Sequence, residues 1–220
     1  MKTSKIKLVI AFTFLPLFLI SQNNRFFDFK FGILGGSSYY IVDTDDLITL
    51  NNSNNTPSYA INVDNANLGI HFGIFTSVRV GLLILRPEII FNSNVINYKV
   101  QDLMVSSPET IAKERYQFLD IPLLVGLKSG AFRAVAGPVG HLFLSNRSDL
   151  LEIVNFTSDF KRFTLGYQAG IALDIFNFMI DLRYEGNFTK YGEGIIFNGK
   201  NIYFSNNTGR IVASISFAIK

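Results

Sequence analysis

Between Phe163 and Asp174 the chain reads FTLGYQAGIALD. Phe163, Leu165, Tyr167, Ala169, Ile171 and Leu173 fall on one parity. Thr164, Gly166, Gln168, Gly170 and Asp174 fall on the other. Side chains of an extended strand alternate between two faces, so this segment predicts a strand with one apolar and one polar face. The same period-two pattern returns in FDFKFGI (Phe27–Ile33), LGIHFGIFTSV (Leu68–Val78), Leu82–Val100, FLDIPLLVGLK (Phe118–Lys128), Arg133–Leu144, Ile180–Glu185 and Arg210–Ile219. That makes about eight strands.

Connection lengths alternate as well. Tight turns are expected near Arg79–Gly81, Ser129–Gly130 and Phe176–Asn177. Long polar connections are expected over Tyr40–Ala66, Gln101–Lys113, Ser145–Asp159 and Asn187–Asn206. An even number of strands with long loops on one side and short turns on the other is the plan of an all-β, eight-stranded antiparallel up-and-down transmembrane β-barrel. Pro87, Pro122 and Pro138 fall inside the expected strands and are expected to mark bulges or strand ends, because each removes a ladder donor.

Alternation does not say which face points outward; a soluble barrel alternates with its apolar face inward. Three features favour the inverted arrangement. The polar face carries Gly69, Gly73, Gly126, Gly137, Gly166 and Gly170, residues that weaken a strand and suit a narrow lumen better than a wetted surface. Its charges come in both signs: Arg86 with Glu88, Arg133 with Asp120, and Arg183 with Asp181 and Glu185, together with Lys128 and Arg210. These are expected to form a structural charge network inside the lumen, since an Arg or Lys facing lipid at mid-depth would cost roughly 2–4 kcal/mol. Finally, Tyr39, Tyr40, Tyr98, Tyr116, Tyr184, Tyr191 and Tyr203 gather near expected strand ends, where a membrane–water boundary favours aromatic rings.

The N-terminus is of another kind. Lys2, Lys5 and Lys7 precede an uncharged apolar run from Leu8 to Ile20, followed by SQNN. This reads as a signal peptide over residues 1–21, with cleavage near Ser21–Gln22 and the mature barrel over 22–220. The run is shorter than the roughly 20 residues a membrane helix requires. The chain carries 20 Lys and Arg against 17 Asp and Glu, and those three lysines supply the whole excess. No basic stripe for a nucleic acid is left.

Sites for chemistry are sparse. With no Cys there is no thiolate nucleophile or Cys-ligated metal. His71 and His141 are the two histidines. Ser145 lies four residues beyond His141, about 13 Å along a strand, too far for a nucleophile–base contact. GILGGSS (Gly32–Ser38) lacks the Lys and following helix of a phosphate loop. Asp43, Asp45 and Asp46 suit a solvated acidic loop better than a calcium site. No catalytic residue, cofactor or metal is expected.

FLDIPLLVGLK followed by AVAGPVGHLFL resembles the E-I-P-L-L … a-G-P signature of the PorT-like outer-membrane β-barrel domain family of Gram-negative bacteria, with Asp120 where that family more often has Glu. FGILGGSSYY, GIFTSVRVGLLILRPEIIF and LGYQAGIALDIFNFMIDLRYEGNF resemble its first strand, second hairpin and sixth and seventh strands. The resemblance implies an integral eight-stranded barrel; one branch of the family is associated with assembly of a protein-secretion apparatus. The expectation is a non-enzymatic, monomeric outer-membrane protein whose long loops serve recognition or structure. Its partners would be the lipid bilayer and an extracellular or secretion-apparatus protein. The competing expectations are a transport or secretion accessory and a lipid-modifying enzyme.

Overall fold

A computed structural model describes residues 27–41, 48–51, 57–66, 68–103, 109–148, 157–160, 162–189, 192–197, 200–202 and 209–219. The expected signal peptide and Asp43, Asp45 and Asp46 lie outside them. The described residues form β1 (Phe27–Ile41), β2 (Ile48–Asn51), β3 (Pro57–Ala66), β4 (Gly69–Val80), β5 (Leu83–Asp102), β6 (Thr110–Ser129), β7 (Phe132–Ser148), β8 (Thr157–Phe160), β9 (Phe163–Ile175), β10 (Phe178–Asn187), β11 (Gly192–Phe197), β12 (Lys200–Ile202) and β13 (Gly209–Ala218).

One antiparallel sheet runs β2-β3-β5-β4-β1-β13-β10-β9-β7-β6, and β5 also pairs with β6. The ladder therefore returns to its start, and the sheet is ring-like. Chain neighbours pair through short turns at Gly81–Leu82, Gly130–Ala131 and Phe176–Asn177. In each turn the first residue has positive φ: 63° at Gly81, 60° at Gly130 and 55° at Phe176. Glycine suits that position of a two-residue hairpin; Phe176 does not.

The long connections differ from expectation. Tyr40–Ala66 contains β2 and β3, and β3 takes the place beside β5 beyond the end of β4. β5 continues to Asp102 and β6 begins at Thr110, so this pair rises from Ile90↔Asp120 to Val100↔Thr110. Strands β8, β11 and β12 pair in a second small sheet.

The prolines are neither bulges nor strand ends. Pro87, Pro122 and Pro138 sit inside β5, β6 and β7, and Pro87↔Leu123, Pro122↔Val139 and Pro138↔Tyr167 are in register. The β4–β5, β5–β6 and β6–β7 ladders each skip two rungs nearby and resume without a shift. The missing N–H groups are absorbed by a sheet whose remaining rungs hold the register.

Alternation sorts the faces. Phe72, Leu123, Ile171, Leu182 and Ile215 are exposed on the outside of the ring, while Arg86, Glu88, Arg183 and Glu185 are buried inside it. The interior is not wholly polar: Leu34, Phe75, Ile90, Met179 and Ala218 pack together within it. Glycine permits the close approach of β10 and the Arg183 side chain at Gly170, where a Cβ would stand 2.2 Å from the Leu182 carbonyl oxygen and 2.8 Å from Arg183 Cγ.

Candidate functional site

The inward faces of β5, β6, β9, β10 and β13 bring their charges into one chain of contacts. Glu88 lies between two guanidiniums, 2.6 Å from Arg86 Nε and 2.7 Å from Arg183 Nη1. Arg183 also holds Asp181 through Nε at 2.7 Å and donates to Gln168 at 3.0 Å. Gln168 donates to Glu185 at 2.6 Å. Arg210 bridges Glu185, at 2.7 Å, and Asp120, at 2.5 Å. Asn92 donates to Asp120 at 2.9 Å, Asn94 to Asn92 at 2.9 Å, and Ser38 to Asn94 at 2.9 Å. Arg86 completes its shell with Ser216 at 2.8 Å and the Phe75 ring, 4.1 Å away. A separate cluster near the short turns joins Lys128 and Arg133 to Asp174.

Each charge predicted for the network, from Arg86 to Arg210, thus faces the interior, but not every predicted pair forms. Arg133 meets Asp174 rather than Asp120. Asp120 meets Arg210, Asn92 and His141 instead. The reason is position along the strands: Arg133 pairs in register with Lys128, next to the short turn, whereas Asp120 lies opposite His141, eight residues up β7. Tyr40 and Tyr116 also differ from expectation. Both are buried inside: Tyr40 has its ring 5.8 Å from the Arg210 guanidinium, and Tyr116 donates to Glu114. Tyr39 and Tyr184 do face outward. The side chain of Tyr98, and residues Tyr191 and Tyr203, lie outside the described set. Sequence parity placed Gln168 and Asp174 on the polar face; what it could not supply was their partners across the ring.

Two constellations bear on catalysis and metal binding. His71 Nε2 lies 2.9 Å from Ser214 Oγ, a cross-strand contact that linear spacing hides. Both residues are buried, and His71 Nδ1 has no hydrogen-bond partner among the described residues to orient the ring. A working nucleophile–base pair needs that orienting group and an open approach. Asp120, His141 and Glu185 bring ligand-type atoms within 4.8 Å of one another. The Arg210 guanidinium already occupies both carboxylates, so a dication there would meet a fixed positive charge. The arrangement is a packed, charge-compensated interior. A pocket of about 10 Å³ between Lys30, Arg79, Lys128, Arg133, Asp174 and Met179, at the short-turn end, has room for about one water.

A search among curated proteins finds no match for this chain. The family model described as outer membrane protein beta-barrel domain does match, over residues 20–191, more than three quarters of the chain. The ring-like antiparallel sheet, its apolar exterior and its ionic interior agree with that match. The chain belongs to the outer membrane protein beta-barrel domain family.

Proposed function

We propose that the protein is a closed, eight-stranded, non-enzymatic barrel of the PorT-like kind, with its long loops outside the cell and its short turns in the periplasm. The ring comprises β1, β4, β5, β6, β7, β9, β10 and β13, with β3 continuing β4 above the bilayer. One observation carries this reading: on the neighbouring strands β9 and β10, Ile171 is 66% exposed while Arg183 is 1% exposed. In water that distribution would be inverted; in a bilayer the exterior apolar belt is solvated by acyl chains. An interior filled by paired side chains makes a poor pore, so recognition by the long loops is the role that remains on a rigid scaffold. The tall β5–β6 pair adds a wall beyond the belt for such contacts.

That wall also favours a second reading, an accessory that docks a protein of a secretion apparatus. Loss of secreted proteins on deletion, without any change in conductance or lipid composition, would select it. The main reading is tested by cell fractionation, heat-modifiable gel mobility and spin labels at Leu123 and Ile171. Outer-membrane recovery, a mobility shift and labels quenched by oxygen but not by a water-soluble relaxant are expected. A soluble protein with water-exposed labels overturns the reading.

A further inference from the structure

Arg115 on β6 and Arg147 on β7 are directly opposed in register, and both are exposed. Like charges directly across an antiparallel pair destabilise it, so the rung calls for a counter-charge. The local backbone is shaped to make this pair. Lower on β7 the odd residues, Arg133, Val135, Val139 and His141, are buried, and an uninterrupted strand would turn Arg147 inward with them. The register shifts between Gln117 and Phe118, where Phe118 pairs with Phe143 but Gln117 with Ser145. This bulge carries Arg147 to the outer face, the same face as Ile121, Leu123, Val125 and Leu127. Re-aiming a side chain is what such bulges do.

The height of the pair on the ring narrows the ligand. The last apolar rung of the β6–β7 ladder is Leu119↔Leu142, with Leu144 exposed in the bulge directly above it. Above it, Ser145 Oγ donates to Gln117 Oε1 at 2.7 Å, an exposed polar rung. The arginine rung follows, about 10 Å above Leu119 once strand tilt is allowed for. That is the headgroup layer, within reach of side chains that can lean back toward the belt. Among the described side chains on the outward faces of β5, β6 and β7, none is a carboxylate.

We infer that Arg115 and Arg147 form a clamp for a phosphate monoester on the headgroup of an outer-leaflet glycolipid of the lipid A type. The guanidiniums supply planar, paired donors for phosphate oxygens. The Gln117–Ser145 rung supplies polar groups at the depth of the sugar, and the belt below receives the acyl chains. This inference rests on the orientation proposed above, which sets the long-loop end in the outer leaflet.

The test is native mass spectrometry of the full chain folded in micelles, with bis-phosphorylated lipid A titrated in. Dephosphorylated lipid A, phosphatidylglycerol and inorganic phosphate serve as separate probes. The wild type should retain lipid A, and inorganic phosphate should not displace it. The exposed double variant R115Q/R147Q should bind about thirtyfold more weakly, and R115K/R147K should recover most of that loss. Equal retention by R115Q/R147Q, or equal binding of dephosphorylated lipid A or phosphatidylglycerol, overturns the clamp. Heat-modifiable mobility, read on the same samples, separates the two levels. If the mobility shift is present and lipid A is bound without discrimination, only the clamp fails. If there is no mobility shift, the barrel reading fails and the clamp with it.

Discussion

Arg183 Nη1 on β10 lies 2.7 Å from Glu88 Oε2 on β5, two strands that are not neighbours in the sheet. The contact spans the interior and ties opposite walls of the ring. Both side chains are buried, and Glu88 also serves Arg86. Removing one partner of a buried pair leaves a charge uncompensated, at about 3–5 kcal/mol. Glu88→Gln should therefore lower unfolding stability by that order, read from circular dichroism in urea with the protein in micelles. Because the partners act together, Glu88→Gln/Arg183→Gln should cost clearly less than the sum of the single variants. Additive losses would show that the two groups contribute independently.

Phe176 holds φ at 55° and is 93% exposed in the β9–β10 turn. The left-handed region costs a residue with a Cβ roughly 1–2 kcal/mol. Phe176→Gly should be more stable than Phe176→Ala by about 1 kcal/mol, a comparison that removes the aromatic ring from both sides. At Gly81 and Gly130, with φ near the same value, substitution to Ala should cost a similar amount. Equal urea midpoints for the two Phe176 variants would mean that the turn relaxes.

The exterior belt makes a depth-dependent prediction. Ile171, mid-strand on β9 and outward-facing, should lose about 2–4 kcal/mol of folding free energy into vesicles on substitution by Arg. Phe178, at the short-turn end of β10, should lose only about 0–1 kcal/mol for the same change. Equal penalties at the two positions would contradict a bilayer around this belt.

Much of this architecture is legible in the chain because parity is a local property. FTLGYQAGIALD declares its two faces without reference to any other segment, and Gln168, Gly170 and Asp174 do face inward. Partnership is not local. Whether Arg133 reaches Asp120 or Asp174 depends on which rung each occupies after every register is set; the tight turn pins β6 against β7, but the long connection between β7 and β9 pins nothing, and Asp174 comes from β9. The strands inside the long connections escape a sequence reading for a similar reason. Polar residues such as those of Pro57–Ala66 carry little strand propensity, yet the unpaired upper edge of β5 gives them a ladder to join. The shift at Gln117/Phe118 was likewise hidden. A single extra residue changes no composition, but it reverses the face of everything above it, Arg147 included.

Asp174 is the sharpest test of that non-local pairing. Its carboxylate accepts from both Lys128 and Arg133, which are themselves opposed in register across β6 and β7. Two cations on one rung repel, and the Asp174 carboxylate from β9 compensates both. Asp174→Asn keeps the shape but removes the charge, leaving Arg133, whose side chain is 2% exposed, beside Lys128 without its counter-ion. A loss of about 3–5 kcal/mol is expected, and Lys128→Met should restore part of it by removing the repulsion. Asp120→Asn should be destabilising through Arg210 and His141, yet Lys128→Met should not rescue it, because Asp120 belongs to a different cluster. If Lys128→Met rescued both aspartate variants equally, Arg133 would be answering to Asp120 after all, as the sequence alone suggests.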